Sequence, residues 1–304
     1  MPLHYELSDL RLLLILMRTR SLSASGEAAH LTTSAVSLRL RKLEDGIGAQ
    51  LFTRTGKGLV PTEAGTALAE AAVPILAEAA ALDARLNPFS KHDPEPLRIF
   101  SNSTGLQIFL CRIAADYLRE NSSFRAVLTE QRSSLTPEAV LTGEADLGLI
   151  GGIRELSPAY RTKLELVQFV ENRHVVILPR DSSAAQQFKN RPILFAELLN
   201  LRFAALTDAS PMTAAMKERA LAAGFRFEPI IEAPSFSLLV ELVARGPLAA
   251  VVPASAVPPN APVEVRELED SWAARPLAFV LPKARPALPS AIDFVEFALR
   301  TQKR

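Results

Sequence analysis

The sequence predicts an α/β protein that begins with an all-α N-terminal part. Beyond Leu97, short apolar strands alternate with helical stretches, which is typical of a sheet with parallel strands. Before residue 87, apolar residues instead recur at the three- and four-residue steps of helices. Between them, residues 87–96 contain three prolines and no periodicity, so they mark a boundary.

Length, composition and charge exclude several classes of protein. A chain of 304 residues can bury a sizeable core in two or three domains, and 48% hydrophobic with 22% charged residues is an ordinary globular composition. The net charge is +1, so any binding of nucleic acid has to be local. A single cysteine, Cys111, excludes an internal disulfide and a multi-cysteine metal site.

The N-terminus carries no sign of export or membrane insertion. Residues 1–9 lack the basic start of a signal peptide, and the apolar run 12–17 is far shorter than the ~20 residues that span a bilayer. A cytoplasmic location without a membrane partner is therefore expected.

The first 44 residues predict a helix-turn-helix. Helices are expected at 7–17 and 25–30, with a break at 21–23, and a third helix follows over 32–44. Thr32 is a good N-cap for the third helix, and Ala35, Val36, Leu40 and Leu43 form its apolar face. The opposite face carries short hydroxyls first and cations after them: Thr33, Ser34, Ser37, Arg39, Arg41 and Lys42.

That order of side chains suits a helix that enters a DNA groove with its N-terminal end. Small polar groups approach base edges there, and longer basic side chains contact phosphates. The alternative is a surface helix with a solvated basic face.

A basic loop follows at residues 54–58, between short extended pieces, and favours a wing along the DNA backbone or minor groove. Between residues 36 and 58, five cations face two acids, a local balance of +3. Gly56 and Gly58 form only a GxG, which excludes a dinucleotide-binding fingerprint.

Residues 62–87 predict a long helix that could pair two copies of the chain. The expected seam repeats at steps of four and three, and its members are Leu68, Ala72, Ile75, Ala79, Leu82 and Leu86. The alternative is a helix packed on its own domain. Pro74 lies inside it, so a kink is expected at 70–74.

The α/β part has strands predicted at 97–101, 125–130, 146–150, 174–178, 202–206, 227–232 and 276–281. Helices are expected at 106–120, 137–143, near 196, at 211–223 and at 289–301. Apolar stretches at 238–244 and 248–252 complete the pattern.

Hydroxyl-rich segments follow three of these strands, where open α/β sheets bind ligands. They contribute Ser101, Asn102, Ser103, Thr104, Thr207 and Ser235. Free N–H groups at helix starts suit a carboxylate, so we predict a small-molecule effector, with an organic anion as the favoured class, held by Ser103, Thr104 and Thr207. The alternative is that these residues are plain N-caps. Asp208 argues against a strongly anionic pocket.

Enzymatic machinery is not evident. The histidines at 4, 30, 92 and 174 lack metal-ligand spacing, and neither GxSxG nor a P-loop occurs. We therefore expect no catalysis, no metal and no cofactor. A solute-binding or sensor protein without DNA binding, or an enzyme on the same fold, remains an alternative.

One continuous run resembles the DNA-binding domain of LysR-type transcriptional regulators: GEAAHLTTSAVSLRLRKLEDGIGAQLFTRTGKGLVPTEAGTAL. The shared features are the alanine-rich second helix, the hydroxyl-capped third helix, the R-K-L-E ending, the wing and the T-E-A-G opening of the next helix. Ser34 stands where the family often has proline, and Gly26 where it usually has alanine.

The resemblance implies a winged helix-turn-helix at 1–62, a linker and dimerisation helix at 63–90, and a two-lobed effector-binding domain at 91–304, like periplasmic binding proteins. Lobe I would span about 97–170 and 271–304, and lobe II about 171–270. The chain would cross between the lobes near 171 and 270, and the last helix would return to lobe I. It also implies a transcription regulator that is a homodimer or homotetramer on double-stranded DNA and that could contact RNA polymerase.

For the DNA contacts, Thr32 caps the third helix. Thr33, Ser34, Ser37 and Arg39 are the expected base or near-base contacts, and the expected phosphate contacts are Arg41, Arg54, Thr55 and Lys57.

Overall fold

The computed structural model describes residues 5–56, 58–86, 95–153, 156–189, 191–207, 210–283 and 287–302. The N-terminal part contains α1 (Leu7–Thr19), α2 (Leu22–Ala29), α3 (Thr33–Ile47), the hairpin of β1 (Phe52–Thr55) and β2 (Gly58–Pro61), and α4 (Glu63–Leu86). This is the predicted winged helix-turn-helix, with its core between α1, α3 and the hairpin.

Side-chain and glycine caps set the helix boundaries in this domain. Thr32 Oγ1 accepts a hydrogen bond from Ala35 N at 3.2 Å, as predicted for the N-cap of α3. The helix runs to Ile47 and ends at Gly48, whose φ is 77°. The predicted break between the first two helices is present but lies at 20–21 rather than 21–23, because the Ser21 hydroxyl caps α2 and the helix begins at Leu22.

Two glycines allow close packing in this domain. A Cβ on Gly26 would lie 2.6 Å from the Leu31 carbonyl oxygen. Any larger residue at this position would therefore force α2 away from the turn before α3. A Cβ on Gly65 would lie 2.1 Å from the Leu51 carbonyl oxygen. The Thr62 hydroxyl accepts from Gly65 N at 3.0 Å and caps α4. The T-E-A-G motif therefore joins α4 tightly to the wing.

Helix α4 is continuous through Pro74. By length and composition alone, Glu63–Asp83 is apolar enough to cross a membrane. In the structure, Ala72 and Leu76 are fully buried against Leu10 of α1. The helix also carries carboxylates, each of which costs about 3 kcal/mol at a bilayer centre. Packing on its own domain therefore accounts for the apolar residues on one side of α4.

Lobe I of the second part has a parallel core of three strands: β3 (Leu97–Ser101), β4 (Ala126–Glu130) and β5 (Leu147–Gly151). A π-helical turn (Gly105–Leu110) leads into α5 (Cys111–Glu120), and α6 (Thr136–Leu141) and α7 (Pro158–Lys163) follow. The predicted strands and helices are confirmed here to within a few residues.

Two long strands cross between the lobes, β6 (Leu164–Pro179) and β11 (Ala274–Pro282), and they pair antiparallel. The described sheet has the order β10-β6-β11-β5-β3-β4, and β9 pairs with the far half of β6. The prediction of a strand only at 174–178 was therefore too short. The missing half mixes apolar with polar and charged side chains and is only partly buried.

Lobe II is built on the far half of β6 with β9 (Ala250–Pro253), β10 (Val263–Glu267) and the parallel pair β7 (Ala204–Leu206) and β8 (Ile231–Ala233). Its helices are α8 (Ser183–Gln187), α9 (Pro211–Ala222) and α10 (Phe236–Arg245). The last helix, α11 (Pro289–Gln302), packs Phe294 and Phe297 into the core of lobe I, as predicted. The fold is thus α/β and two-lobed.

Candidate DNA-contacting surface and effector cleft

The exposed face of α3 lies opposite its buried face. Val36 is fully buried, and Leu40 and Leu43 are at most 5% exposed. At about 100° per residue, the opposite side of the helix presents Ser34, Leu38 and Arg41, and all three are exposed. The predicted polar and basic face is therefore present, and the exposed Leu38 lies at its centre.

Arg39 and Ser37 lie on the two flanks of this face. Arg39 Nη2 donates to Ser8 Oγ at 3.5 Å, and its Nε lies 4.0 Å from Asp9 Oδ1, so the guanidinium leans towards α1. Ser37 Oγ accepts from Arg54 Nη2 at 3.0 Å, which ties the wing to the helix. Base contacts by Arg39 and Ser37 would require these bonds to be exchanged.

A groove of about 320 Å³ separates α3 from the wing. Arg41 and Arg54 contribute cations to it, and Gln50 and Thr53 contribute polar groups. The Glu44 carboxylate also lines the groove, but its Oε1 accepts from the backbone N–H of Leu51 at 2.8 Å and of Phe52 at 3.3 Å.

The glutamate of the R-K-L-E ending therefore fastens the start of the wing. Glu44, Gln50 and Thr53 were missed as site residues. The signal for Glu44 in the sequence is an acidic residue shortly after the basic residues of α3, at the end of the R-K-L-E segment.

The remaining predicted DNA contacts differ in whether their side chains already form hydrogen bonds within the chain. Thr33 is exposed near the tip of α3. Thr32 is exposed but its hydroxyl is engaged as the cap and lies 3.0 Å from Ser34 Oγ. Thr55 Oγ1 donates to the Gly58 carbonyl within the wing. Lys57 lies outside the described residues.

At the strand ends of lobe I, Ser101 does not belong to a ligand site. Its side chain is fully buried, and its hydroxyl donates to the Leu149 carbonyl oxygen at 2.6 Å. The prediction for Ser101 is wrong, because the last residue of β3 turns its hydroxyl into the sheet and ties β3 to β5.

Asn102 organises the neighbouring loops. Its Oδ1 accepts from Gly105 N at 2.9 Å, and its Nδ2 donates to Ser133 Oγ at 2.9 Å. Ser133 Oγ in turn accepts from Gly151 N at 3.2 Å. Ser133 thus joins the carboxyl ends of β3, β4 and β5. It was missed, although the Ser133-Ser134 pair after a predicted strand is the same signal that was used for Ser103.

Ser103 and Thr104 lie at the start of the π-helical turn. Ser103 Oγ donates to Glu130 Oε1, which places a carboxylate beside the predicted effector residues. Thr104 is half-buried and makes no side-chain capping bond. Ile108 of the same turn packs against the cores of both lobes, so this turn lies where the lobes meet.

Thr207 and Ser235 follow neighbouring strands in lobe II. The register pairs Leu206 with Ala233, so both residues come just after the carboxyl ends of β7 and β8. Thr207 is exposed. Ser235 Oγ accepts from Leu238 N at 3.4 Å and caps α10, which is the alternative role considered for it. Asp208 lies outside the described residues.

The predicted pairing seam on α4 is only partly available. Ala72 is wrong, because it is fully buried within its own chain, and Leu68 is half-buried against the same core. Ile75, Leu82 and Leu86 are 41%, 56% and 54% exposed, and Ala79 is half-buried. An apolar stripe therefore remains along the later turns of α4.

A buried histidine lies on the crossover strand β6. His174 is 5% exposed, and its ring centroid is 6.2 Å from that of Trp272. Burial, and then the charge of Arg275, lower the pKa of His174 to about 4. Within the described parts of the chain, no group of three or more His, Cys, Asp or Glu side chains could hold a metal ion.

The fold and these surfaces define a winged helix-turn-helix protein with a two-lobed ligand-binding domain. Residues 7–66 match the family model for bacterial regulatory helix-turn-helix proteins of the lysR family. Residues 90–303 match the LysR substrate binding domain. The chain belongs to the LysR family.

Similar proteins include regulators from several bacteria. The RuBisCO operon transcriptional regulator of Allochromatium vinosum is 29% identical over 215 residues, which cover 71% of this chain and 68% of that protein. The transcriptional activator IlvY of Salmonella typhimurium is 30% identical over 57% of each chain.

Two solved structures share the whole fold. A full-length OxyR variant from Pseudomonas aeruginosa has a TM-score of 0.61 at 20% identity, covering 98% of this chain and 95% of that one. Full-length CbnR complexed with its target DNA has a TM-score of 0.52 at 18% identity, covering 98% and 100%. At these identities the likeness shows the fold.

Proposed function

We propose that this protein is a sequence-specific, DNA-binding transcriptional regulator controlled by a small-molecule effector bound between its lobes. The observation that carries the proposal is the exposed polar and basic face of α3, which lies beside the wing in a chain that also contains the two-lobed domain. A protein that only binds a solute does not need an exposed basic helix beside a wing.

The helix α3 would lie in the major groove, whose width of about 12 Å accepts an α-helix. Thr33 and Ser34, at its N-terminal end, would approach base edges. Arg41 and Arg54 line the groove between helix and wing, where they could hold a phosphate on the DNA backbone. CbnR, which shares the fold, was solved on its target DNA.

Paired copies of the chain would provide the affinity. The local balance around α3 and the wing is only about +3 between residues 36 and 58, so a single copy has few phosphate contacts. Ile75, Leu82 and Leu86 leave an apolar stripe on α4 that a partner helix would cover. We therefore expect a homodimer or homotetramer on a two-part DNA site.

The effector would lie against the π-helical turn, between Thr104 in lobe I and Thr207 in lobe II. An organic anion is the favoured class, because the positive end of a helix dipole suits a carboxylate. Its contacts would come from groups other than Gly105 N and Leu238 N, which donate to Asn102 and Ser235. Glu130 stands beside Ser103, so the preferred anion should also carry a hydroxyl or amino group that can donate to this carboxylate. Ligand-dependent movement of the lobes would then change the spacing of the paired DNA-binding domains.

The remaining expectations follow from that role. A regulator of chromosomal genes acts in the cytoplasm and could contact RNA polymerase there. We place it outside the enzymes, without cofactor or metal. In support, its curated relatives are regulators.

An electrophoretic mobility-shift assay on the DNA upstream of its own gene tests the proposal. We expect a shift that resists unrelated competitor DNA and weakens as salt is raised. Folded protein that gives no shift, or the same shift with any DNA, would rule out the regulator and favour the solute-binding alternative.

Isothermal titration against a panel of small carboxylates tests the cleft. We expect binding of one member, weakened about tenfold by Thr104→Val because a hydroxyl contact is lost. The control is Thr162→Val, since the Thr162 hydroxyl donates within α7. Unchanged affinity in Thr104→Val would remove Thr104 from the site.

A further inference from the structure

An apolar side chain occupies the centre of the surface that faces DNA in the proposed function. Leu38 is 55% exposed and lies opposite the buried Val36, Leu40 and Leu43. One turn before it lies Ser34, and one turn after it lies Arg41. Leu38 is therefore the most outward side chain on the middle turn of α3.

The polar side chains next to Leu38 in the sequence are engaged with other parts of the domain. Ser37 is held by Arg54 of the wing, and Arg39 leans towards Ser8 of α1. Both flanking polar groups are thus turned away from the centre of the face. An exposed leucine is common on protein surfaces, but here it stands in the middle of an otherwise polar and charged surface, whose exposed members include Ser34, Arg41, Lys42 and Asp45.

We propose that Leu38 selects a thymine in the DNA site by contact with its C5-methyl group. This inference rests on the proposed function. The thymine methyl is the apolar group that base pairs present in the major groove, and apolar side chains discriminate by touching it. Burial of Leu38 against cytosine N4 or adenine N6 would instead leave a hydrogen-bond donor without a partner.

The effect is measurable because uracil differs from thymine only by that methyl group. Loss of one buried methyl corresponds to roughly a fourfold loss of affinity. All hydrogen-bonding groups of the base pair are kept, so phosphate and polar contacts are unchanged. The comparison therefore isolates the apolar contact.

The experiment uses the full-length protein and duplexes that it selects from a randomised pool. Each thymine in a selected duplex is replaced singly by uracil, and Kd is measured by fluorescence anisotropy for wild type and Leu38→Ala. We expect one thymine per half-site at which uracil weakens wild type about fourfold and leaves Leu38→Ala unaffected. Leu221→Ala, at a 75% exposed position on α9, is the matched control and should behave as wild type.

A second variant guards against misfolding of the first. Leu38→Arg offers the guanidinium that pairs with guanine O6 and N7, so repeated selection should replace the T·A pair at the same position by a pair that contains guanine. The inference is overturned if uracil affects wild type and Leu38→Ala equally at every position, or if Leu38→Arg keeps the T·A pair there. If the wild-type protein selects no sequence at all, the proposed function fails as well.

Discussion

The outward face of α3 and the strand ends of lobe I carry similar hydroxyl-rich sequences, yet the structure uses them differently. On α3, Thr33 and Ser34 stay exposed. At the end of β3, the Ser101 hydroxyl is buried against Leu149, and Asn102 bonds to Ser133 and Gly105. On a convex helix surface, polar side chains remain free to bind another molecule. At a concave strand edge, polar side chains form hydrogen bonds with the neighbouring strand and loops.

The largest expected effect is a loss of stability in the winged domain alone, which contains α3. Gly65→Ala would place a Cβ 2.1 Å from the Leu51 carbonyl oxygen, and we expect a loss of about 3 kcal/mol in the free energy of unfolding of the winged domain. Chemical denaturation, with DNA binding as a second readout, measures this loss. The effector lobes should keep their own transition.

Gly56→Ala is the matched control, because a Cβ there meets nothing within 4 Å. Its effect should stay within about 0.5 kcal/mol. Equal stability of the two variants would contradict the close approach of α4 to the wing.

A loss of stability of similar size is expected in the two-lobed region alone when the pH falls. The pKa of His174 is lowered to about 4 in the folded protein, whereas the unfolded chain binds this proton below about 6.5. The stability contributed by neutral His174 is thus complete above pH 6.5 and is lost as pH falls towards 4, by about 3 kcal/mol in total.

Urea unfolding between pH 7 and pH 4 would show this loss as a slope that His174→Phe reduces. The winged domain should not share the difference between wild type and variant. An identical pH profile for wild type and His174→Phe would exclude His174 as its source.

A smaller effect distinguishes a structural hydroxyl from a ligand-binding one. Ser101→Ala removes a buried hydrogen bond to Leu149 and should cost about 1–2 kcal/mol of stability. It should bind the same carboxylate as wild type with unchanged affinity in isothermal titration. A loss of ligand affinity without a loss of stability would return Ser101 to the effector site.

Local capping rules predicted much of the N-terminal domain, because those rules depend on a few adjacent residues. Thr32 begins α3 in this way, whereas the helix continues three residues beyond its predicted end at 44. What failed depended on distant partners. Arg39 is drawn to Ser8, and Ala72 is covered by Leu10, contacts that no local pattern contains. The first half of β6 was missed because a crossover strand is only partly buried and so carries charged residues.

In the effector domain, the sequence located the strand ends but not the use of their side chains. Whether a hydroxyl faces the sheet or the cleft depends on the strand register, and Ser101 and Ser103 differ by two positions only. Leu38 was passed over for the opposite reason. A leucine in a helical pattern predicts a buried position, and only the structure shows that Leu38 lies on the exposed side of α3.

Hydroxyl-radical footprinting of the full-length protein on a selected duplex tests the central claim most directly, since that claim is DNA binding by α3 and the wing of paired copies. We predict two protected stretches on one face of the duplex, separated by whole helical turns of about 10 base pairs. Arg41→Ala with Arg54→Ala should remove both. Uniform protection, a single protected stretch, or a footprint that survives the double variant would contradict the account.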